Sequence, residues 1–156
     1  MYKNTLTTLN EFEGAALLAG AGIPGIENAL VHNETQAAKA AARLGFPVAL
    51  KICSEAVPHK TDRGGVILNI PDAENLTEAV REMAHRFPDL SPVFLVQKMA
   101  KPGTELILGA RRDPVFGPVI LVGLGGIFTE IFRDSAIDLA PVDEQGALAM
   151  LGRLKG

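Results

Sequence analysis

The sequence predicts an α+β fold built from two lobes. Residues 8–88 hold three segments of helical character and two short apolar runs, whereas four apolar runs alternate with Gly- and Pro-rich turns from residue 93 onward. Of the 156 residues, 47% are hydrophobic and 21% are charged, which is typical of a globular chain. We therefore predict one lobe over residues 1–92 and a second lobe, mainly antiparallel sheet, over residues 93–156.

The first predicted element is a helix that runs through AALLAG. Asn10 and Glu13 have the spacing of a capping box, and so do Thr8 and Glu11. Gly20 lies where this helix is expected to end.

The following segments alternate between helix and strand. Asn33 can cap a helix over ETQAAKAAARL that stops at Gly45. The runs PVALKIC and GVILNI are short and apolar, and turn residues bound them, so both are predicted strands. Asp72 opens a longer helix through NLTEAVREMAHRF, whose apolar side chains recur at helical spacing and predict a buried face: Leu76, Val80, Met83 and Phe87.

The C-terminal half is predicted to be mainly sheet. Its apolar runs are VFLVQKM, ELILGAR, PVILVGLG and TEIFRDSAIDLA, and their separators KPGT, RDPVFGP and GGIF have turn chemistry. DEQGALAMLGRL then predicts a closing helix.

Composition and charge exclude several classes of function. The net charge is −3 with both signs interspersed, which argues against a nucleic-acid partner. Apolar stretches are broken well before the roughly 20 residues of a membrane span, and MYKNTLTTLNE lacks the apolar core of a signal peptide. Cys53 lies in an apolar run and is interpreted as a small core residue in a reducing compartment. We expect a cytoplasmic protein.

One cluster of residues suggests a polyphosphate site. Lys51 lies in the middle of an otherwise apolar strand, and eight residues later begins the loop PHKTDRGG. Gly64 and Gly65 can adopt backbone angles that turn successive N–H groups toward an anion, and Lys60 and Arg63 flank them. The alternative is a lysine that reaches solvent beside an ordinary hairpin turn. The combination favours phosphate binding more than any single residue does.

His59 has three interpretations. It can be a solvated loop histidine, a hydrogen-bond donor to phosphate, or a nucleophile that accepts a phosphoryl group and passes it on. Asp62 lies three residues later and could orient or stabilise the ring. The residues alone leave these interpretations open.

Two carboxylates in the second half are candidate metal ligands. Glu130 and Asp134 lie four apart on a predicted apolar strand, so both are expected on one face. They could hold Mg²⁺ or a ribose, or could form the solvent-facing side of a half-buried strand.

Taken together, LNEFEGAALLAGAGIP, FPVALKI, HKTDRGGVILNI and VQKMAKPGTELILGARRDPVFGPVILVGLGGIFTEIFRDSAIDLAPV resemble a known family. They are similar to the ATP-grasp domain of ADP-forming acetyl-CoA synthetases and of the related NDP-forming acyl-CoA synthetases, a module that also occurs in certain protein acetyltransferases. The resemblance extends from about residue 8 to residue 152.

The resemblance implies an ATP-grasp fold with a nucleotide clamped between two lobes. Lys51 would contact the α- and β-phosphates, and Gly64 and Gly65 would belong to the loop that covers the phosphates, with Lys60 and Arg63 nearby. His59 corresponds to the histidine that relays a phosphoryl group between a distant phosphohistidine and the nucleotide. The hinge strand VFLVQKM, including Gln97 and Met99, would contact adenine through backbone groups. Glu105 would help to hold the nucleotide.

The implied reaction interconverts acyl-CoA, phosphate and ADP with acid, CoA and ATP, with Mg²⁺ on the phosphates. The resemblance also implies partners: CoA-binding and ligase domains on the same full-length chain or on a partner subunit. We therefore expect one part of an acid–CoA ligase that is inactive alone, and a homo-oligomer is possible. The alternatives are a non-catalytic nucleotide-binding or regulatory module and a domain that shares ancestry alone.

The sequence departs from the family pattern at two points. Lys98 stands in the hinge where the family usually has Glu, which bears on nucleotide affinity or base choice. The family continues into an E-x-D-x-N-P segment and an aspartate-bearing strand that carry the Mg²⁺ ligands, and neither follows GRLKG here. The C-terminal lobe is therefore expected to be incomplete, with Glu130 and Asp134 as substitute metal ligands.

Overall fold

The computed structural model describes residues 8–53, 63–88, 93–126 and 134–155. Within these residues it contains helices and strands in the following order: α1 (Glu11–Gly20), β1 (Asn28–Val31), α2 (Glu34–Leu44), β2 (Val48–Ile52), β3 (Val66–Ile70), α3 (Ala73–Arg86), β4 (Phe94–Lys98), β5 (Leu106–Asp113), β6 (Gly117–Leu124), β7 (Ser135–Leu139) and α4 (Glu144–Leu151). The chain divides into two compact units, Met1–Lys101 and Pro102–Gly156.

The first unit contains a four-stranded antiparallel sheet with α2 and α3 on one face. Its strand order is β1-β4-β2-β3. The apolar sides of α2 and α3 pack with one face of this sheet into the main core, which includes Leu50, Leu76, Met83, Phe94 and Val96. The predicted stripe of α3 is confirmed, because Leu76, Val80, Met83 and Phe87 are all buried.

The helix starts follow the predicted capping chemistry. Of the two capping boxes open to α1, the structure uses the later one: Glu13 N donates to Asn10 Oδ1, and Asn10 N donates to Glu13 Oε2, both at 3.0 Å. Asn33 and Asp72 cap α2 and α3 as predicted. Two further predictions are confirmed at the residue level: α2 ends at Gly45, whose φ is 81°, and Cys53 is a buried free thiol.

One strand, β1, was not predicted from the sequence. β1 has only four residues, and its pairing with β4 runs from Asn28 opposite Gln97 to Val31 opposite Phe94. NALV is shorter than a typical strand and follows a Gly- and Pro-rich segment, so its local sequence resembles a loop. NALV forms a strand because it pairs with β4, almost 70 positions later in the chain.

β4 belongs to the first unit, although the predicted lobe boundary after residue 92 would place it in the second. β4 lies between β1 and β2 in the first sheet, and the division of the chain falls after Lys101. An apolar run such as VFLVQKM predicts a strand but does not identify its neighbours, because the register depends on distant residues.

The second unit is a three-stranded antiparallel sheet with one helix. Its strand order is β5-β6-β7, as the turn-rich sequence predicted. Met150 of α4 packs with Val122 and Ala136 in a small core, and the closing helix is therefore confirmed. No helix within residues 8–53, 63–88, 93–126 or 134–155 is long and apolar enough to cross a membrane.

Candidate functional site

Lys51 and the diglycine lie side by side at one end of the first sheet. Lys51 on β2 is directly opposite Val66, the first residue of β3 and the neighbour of Gly65. The N–H of Ile52 donates to the carbonyl of Gly65 at 2.8 Å. The two features that the sequence singled out separately are thus neighbours across two adjacent strands.

The Lys51 side chain projects from the sheet face opposite α2 and α3. Its neighbours Leu50 and Ile52 belong to the helix-covered core, so the alternation of the strand directs Lys51 to the other side. Leu95 is opposite Lys51, and Gln97 is opposite Ala49, so Gln97 shares the Lys51 face. Met99 follows β4, and its N–H donates to the carbonyl of Pro47 at 3.4 Å. Lys51 and Gln97, the predicted hinge residue, therefore share one side of a single sheet.

Lys51 forms an ion pair in this structure. Its Nζ lies 2.5 Å from Oε1 of Glu11 in the first turn of α1, and the two side chains are 21% and 35% exposed. Most of the Lys51 side chain is covered, and a carboxylate lies beside its ammonium. A phosphate carries the same sign of charge as Glu11, so it can form the same kind of contact with this ammonium.

The diglycine turn is held by the last turn of α3. Gly64 has φ of 69°, a conformation that favours glycine, and Nη1 of Arg86 donates to its carbonyl at 2.7 Å. The guanidinium of Arg63 lies over the ring of Phe87, 5.7 Å from the ring centroid. Arg86 was not predicted from the sequence, because nothing in the sequence distinguishes an arginine that makes such a contact near a helix end from a solvated one.

Lys98, in the strand predicted to form the hinge, has an acidic neighbour. Its Nζ is 3.3 Å from Oε1 of Glu27, and both side chains are at least half exposed. The N–H of Lys98 also donates to the carbonyl of Glu27 at 3.0 Å. The local positive charge that the sequence predicted at this position is thus accompanied by a negative one.

In the second unit, Glu105 lies against a second diglycine. The N–H of Gly125 donates to the carbonyl of Glu105 at 2.8 Å. A Cβ atom on Gly125 would come within 3.0 Å of Glu105 Cβ, and one on Gly126 within 3.1 Å of Glu105 Oε2. Larger residues at these two positions would push against Glu105, so the glycines allow this close approach.

The described residues do not by themselves complete a magnesium site. Oδ2 of Asp134 accepts a hydrogen bond from the N–H of Lys155 at 2.5 Å. No group of three His, Cys, Asp or Glu side chains suited to a metal occurs in the part of the chain that the structure describes. Carboxylate oxygens are the ligands that Mg²⁺ prefers, so Asp134 is a suitable type of ligand. One carboxylate is too few to form the site. Glu130, like His59, Lys60 and Asp62, lies outside the described residues.

Comparison with known proteins identifies the family. A family model described as an ATP-grasp domain matches residues 1–156. The chain belongs to the ATP-grasp family. This ATP-grasp chain is 38% identical over 152 residues to the β subunit of acetate–CoA ligase (ADP-forming) I of Pyrococcus furiosus, a match that covers 94% of the chain and 66% of that subunit. It is 36% identical over 159 residues to 4-hydroxybutyrate–CoA ligase (ADP-forming) of Nitrosopumilus maritimus.

The solved structures agree with this assignment. Acetyl-coenzyme A synthetase 1 of Candidatus Korarchaeum cryptofilum, in complex with coenzyme A, Ca-AMPCP and HgCl⁺, superposes with a TM-score of 0.89 at 39% identity. That match covers 98% of the chain and 69% of the synthetase chain. The match to the Nitrosopumilus ligase covers 98% of the chain but only 23% of that ligase. The chain spans just under two thirds of the Pyrococcus subunit.

Proposed function

We propose that this chain is the nucleotide-binding part of an ADP-forming acid–CoA ligase and binds ATP and ADP. The observation that supports this most directly is the adjacency of Lys51 and the Gly64–Gly65 turn on neighbouring strands. A strand-borne ammonium beside a glycine turn offers both a point charge and backbone N–H donors to phosphate oxygens. The family assignment and the similarity to a synthetase in complex with Ca-AMPCP support the same ligand.

In the proposed reaction the chain acts by positioning and charge. Lys51, Lys60 and Arg63 would neutralise phosphate oxygens, and Gly64 and Gly65 would approach them closely because no side chain intervenes. In the second unit, Glu105 would help to hold the nucleotide. His59 would accept the phosphoryl group on a ring nitrogen from one donor and release it to the next, as the family resemblance implies. Gln97 and Met99 would line the adenine site.

Magnesium and partner domains complete the proposal. Mg²⁺ would neutralise charge on the transferred phosphoryl group, and Glu130 and Asp134 are the carboxylates proposed to contribute to its binding. The CoA-binding and phosphohistidine-bearing domains would come from the same full-length protein or from a partner subunit, in keeping with a relative that is itself named as a β subunit. We propose a cytoplasmic location, where nucleotide and CoA are available and the single cysteine stays reduced.

Replacing Lys51 tests the proposed function. Lys51→Ala should weaken Mg-ATP binding by the 156-residue chain about tenfold or more, because a charged hydrogen bond to phosphate is lost. Isothermal titration calorimetry measures this change. Lys39→Ala is the matched control, since Lys39 is an exposed lysine of α2, on the other side of the same sheet, and should bind as the wild type does. A wild-type chain without measurable Mg-ATP binding, or a Lys51→Ala chain with unchanged affinity, would contradict the proposal.

A further inference from the structure

Glu105 and Gly125 extend the pairing of β5 with β6 by one residue on each strand. Leu106 lies opposite Leu124, and the N–H of Gly125 donates to the carbonyl of Glu105 at 2.8 Å. In a regular antiparallel pair the Cβ atoms of opposite residues lie about 4.5–5.5 Å apart. A Cβ on Gly125 would lie only 3.0 Å from Glu105 Cβ, so the two backbones approach more closely here than two side chains would permit.

The carboxylate of Glu105 lies against the second glycine of this pair. Gly126 has a φ of 63°, a conformation that favours glycine. A Cβ on Gly126 would lie 3.1 Å from Oε2 and 3.7 Å from Cδ of Glu105, so the carboxylate occupies space into which a side chain would project. An alanine at Gly126 would therefore require the carboxylate to shift by a few tenths of an ångström.

This close fit does not occur at every glycine of the same sheet. A Cβ built on Gly109 in β5, or on Gly117 at the start of β6, would meet open space. Gly117 also has a positive φ, of 80°, so the backbone conformation of Gly126 does not by itself bring a side chain against it. The contact with Glu105 is thus a separate property of the second diglycine.

The chemistry of a carboxylate limits which part of a nucleotide Glu105 can hold. An ionised carboxylate only accepts hydrogen bonds, and it carries the same sign of charge as the phosphates. Away from its phosphates, ATP offers the ribose hydroxyls and the adenine amino group as donors. The two neighbouring hydroxyls of ribose can donate to the two oxygens of one carboxylate, and acidic side chains bind ribose in this way in dinucleotide sites.

We propose that Gly126 is a positioning residue that keeps the Glu105 carboxylate in place for the ribose hydroxyls of the nucleotide. A glutamate side chain loses conformational freedom when it is fixed by a ligand. A carboxylate that already lies in one place loses less of that freedom, which favours binding. This inference rests on the proposed function, in which Glu105 helps to hold the nucleotide, and adds a residue to that part of the site.

The test compares Gly126→Ala with Gly117→Ala. Gly117 is a matched control because alanine there introduces the strain of a positive φ without contacting Glu105. Calorimetry measures the binding of Mg-ATP and of Mg-2′,3′-dideoxy-ATP, which lacks both ribose hydroxyls. Gly126→Ala should weaken Mg-ATP binding about fivefold and change dideoxy-ATP binding less than about twofold, whereas Gly117→Ala should bind both ligands as the wild type does.

A double-mutant cycle separates the contact from strain in the turn. Glu105→Ala, at an exposed position, should weaken Mg-ATP binding about tenfold. Adding Gly126→Ala to this variant should change the affinity less than about twofold, because the carboxylate that it displaces is already gone. A further fivefold loss in the double variant, or equal losses of Mg-ATP and dideoxy-ATP affinity in Gly126→Ala, would overturn the positioning role.

NMR tests the contact without any nucleotide. The signal of the Glu105 carboxyl carbon should shift in Gly126→Ala and stay in place in Gly117→Ala, and an unchanged signal in Gly126→Ala would overturn the contact. A wild type that binds Mg-ATP, with a Gly126→Ala chain of equal affinity, would overturn this inference alone. A wild type that binds no Mg-ATP would overturn the proposed function and, with it, the role of Gly126.

Discussion

At the scale of single residues, the ion pair between Lys51 and Glu11 involves the lysine that is proposed to contact phosphate. A partly exposed pair of this kind contributes only about 0.2–1 kcal/mol to stability, so an incoming polyphosphate can replace the carboxylate. The pair nevertheless puts a negative charge where a negative ligand is proposed to bind. Glu11 and the ligand should therefore compete for the same ammonium.

Removing the charge of Glu11 should strengthen phosphate binding. We expect Glu11→Gln to lower the dissociation constant for tripolyphosphate up to about fivefold, because the competing carboxylate is gone while the residue keeps its size. Glu13→Gln is the matched control on the same helix, since glutamine can also complete the capping box. Calorimetry on both variants measures the effect. Weaker binding by Glu11→Gln alone would mean that Glu11 orients Lys51 rather than competing with the ligand.

Residue types and spacing predicted part of this site. Lys51, Gly64 and Gly65 stood out because a lysine in an apolar strand and a diglycine before the next strand are local patterns. Glu11 and Arg86 did not stand out, because their contacts join residues 40 and 22 positions apart and depend on how α1 and α3 pack. Side chains that act through tertiary contacts have no local signature to read.

At the scale of elements, the β5–β6 hairpin is stabilised by an acidic side chain in its turn. Oδ1 of Asp113 accepts from the N–H groups of Val115 at 3.0 Å and Phe116 at 3.1 Å. These backbone hydrogen bonds, together with the one from the Arg111 guanidinium to Oδ2, lower the pKa of Asp113 below its ordinary value. The ionised form is therefore the one that the folded hairpin favours.

The hairpin should lose this contribution in acid. A lowered pKa in the folded state gives stability that is present above the ordinary aspartate pKa and is lost as the pH falls through the folded value. The urea midpoint of the wild type should therefore fall more than that of Asp113→Asn between pH ~7 and pH ~3. Asparagine keeps the Oδ1 acceptor but does not titrate in this range. Equal losses in the two proteins would show that Asp113 does not contribute to the acid sensitivity.

Elements with strong local signals were predicted well, and those defined by partners were not. The capped helices α2 and α3 and the apolar strands β2 and β3 occur where their patterns indicated. β1 was missed, and β4 belongs to the first sheet, because strand pairing is decided by residues far away in the chain.

At the scale of the whole molecule, the two units differ in how much apolar surface they bury. The core of the first unit joins α2, α3 and all four strands of its sheet. Among the described residues of the second unit, the buried cluster comprises Val122, Ala136 and Met150, with Ile120, Val142 and Leu154 partly buried against it. Local stability follows buried apolar contact, so the second unit should open at a lower free energy than the first.

Native-state hydrogen exchange with increasing denaturant tests this difference. Amides of β2 and β4 should exchange with a higher free energy of opening than those of β6 and β7, since the former strands lie inside the larger core. Leu76→Ala, at a fully buried position, should lower the opening free energy of β2 and β4 by about 2–5 kcal/mol, and Met150→Ala should act on β6 and β7. Equal opening free energies for all four strands, shifted alike by either substitution, would mean that both units unfold as one cooperative body.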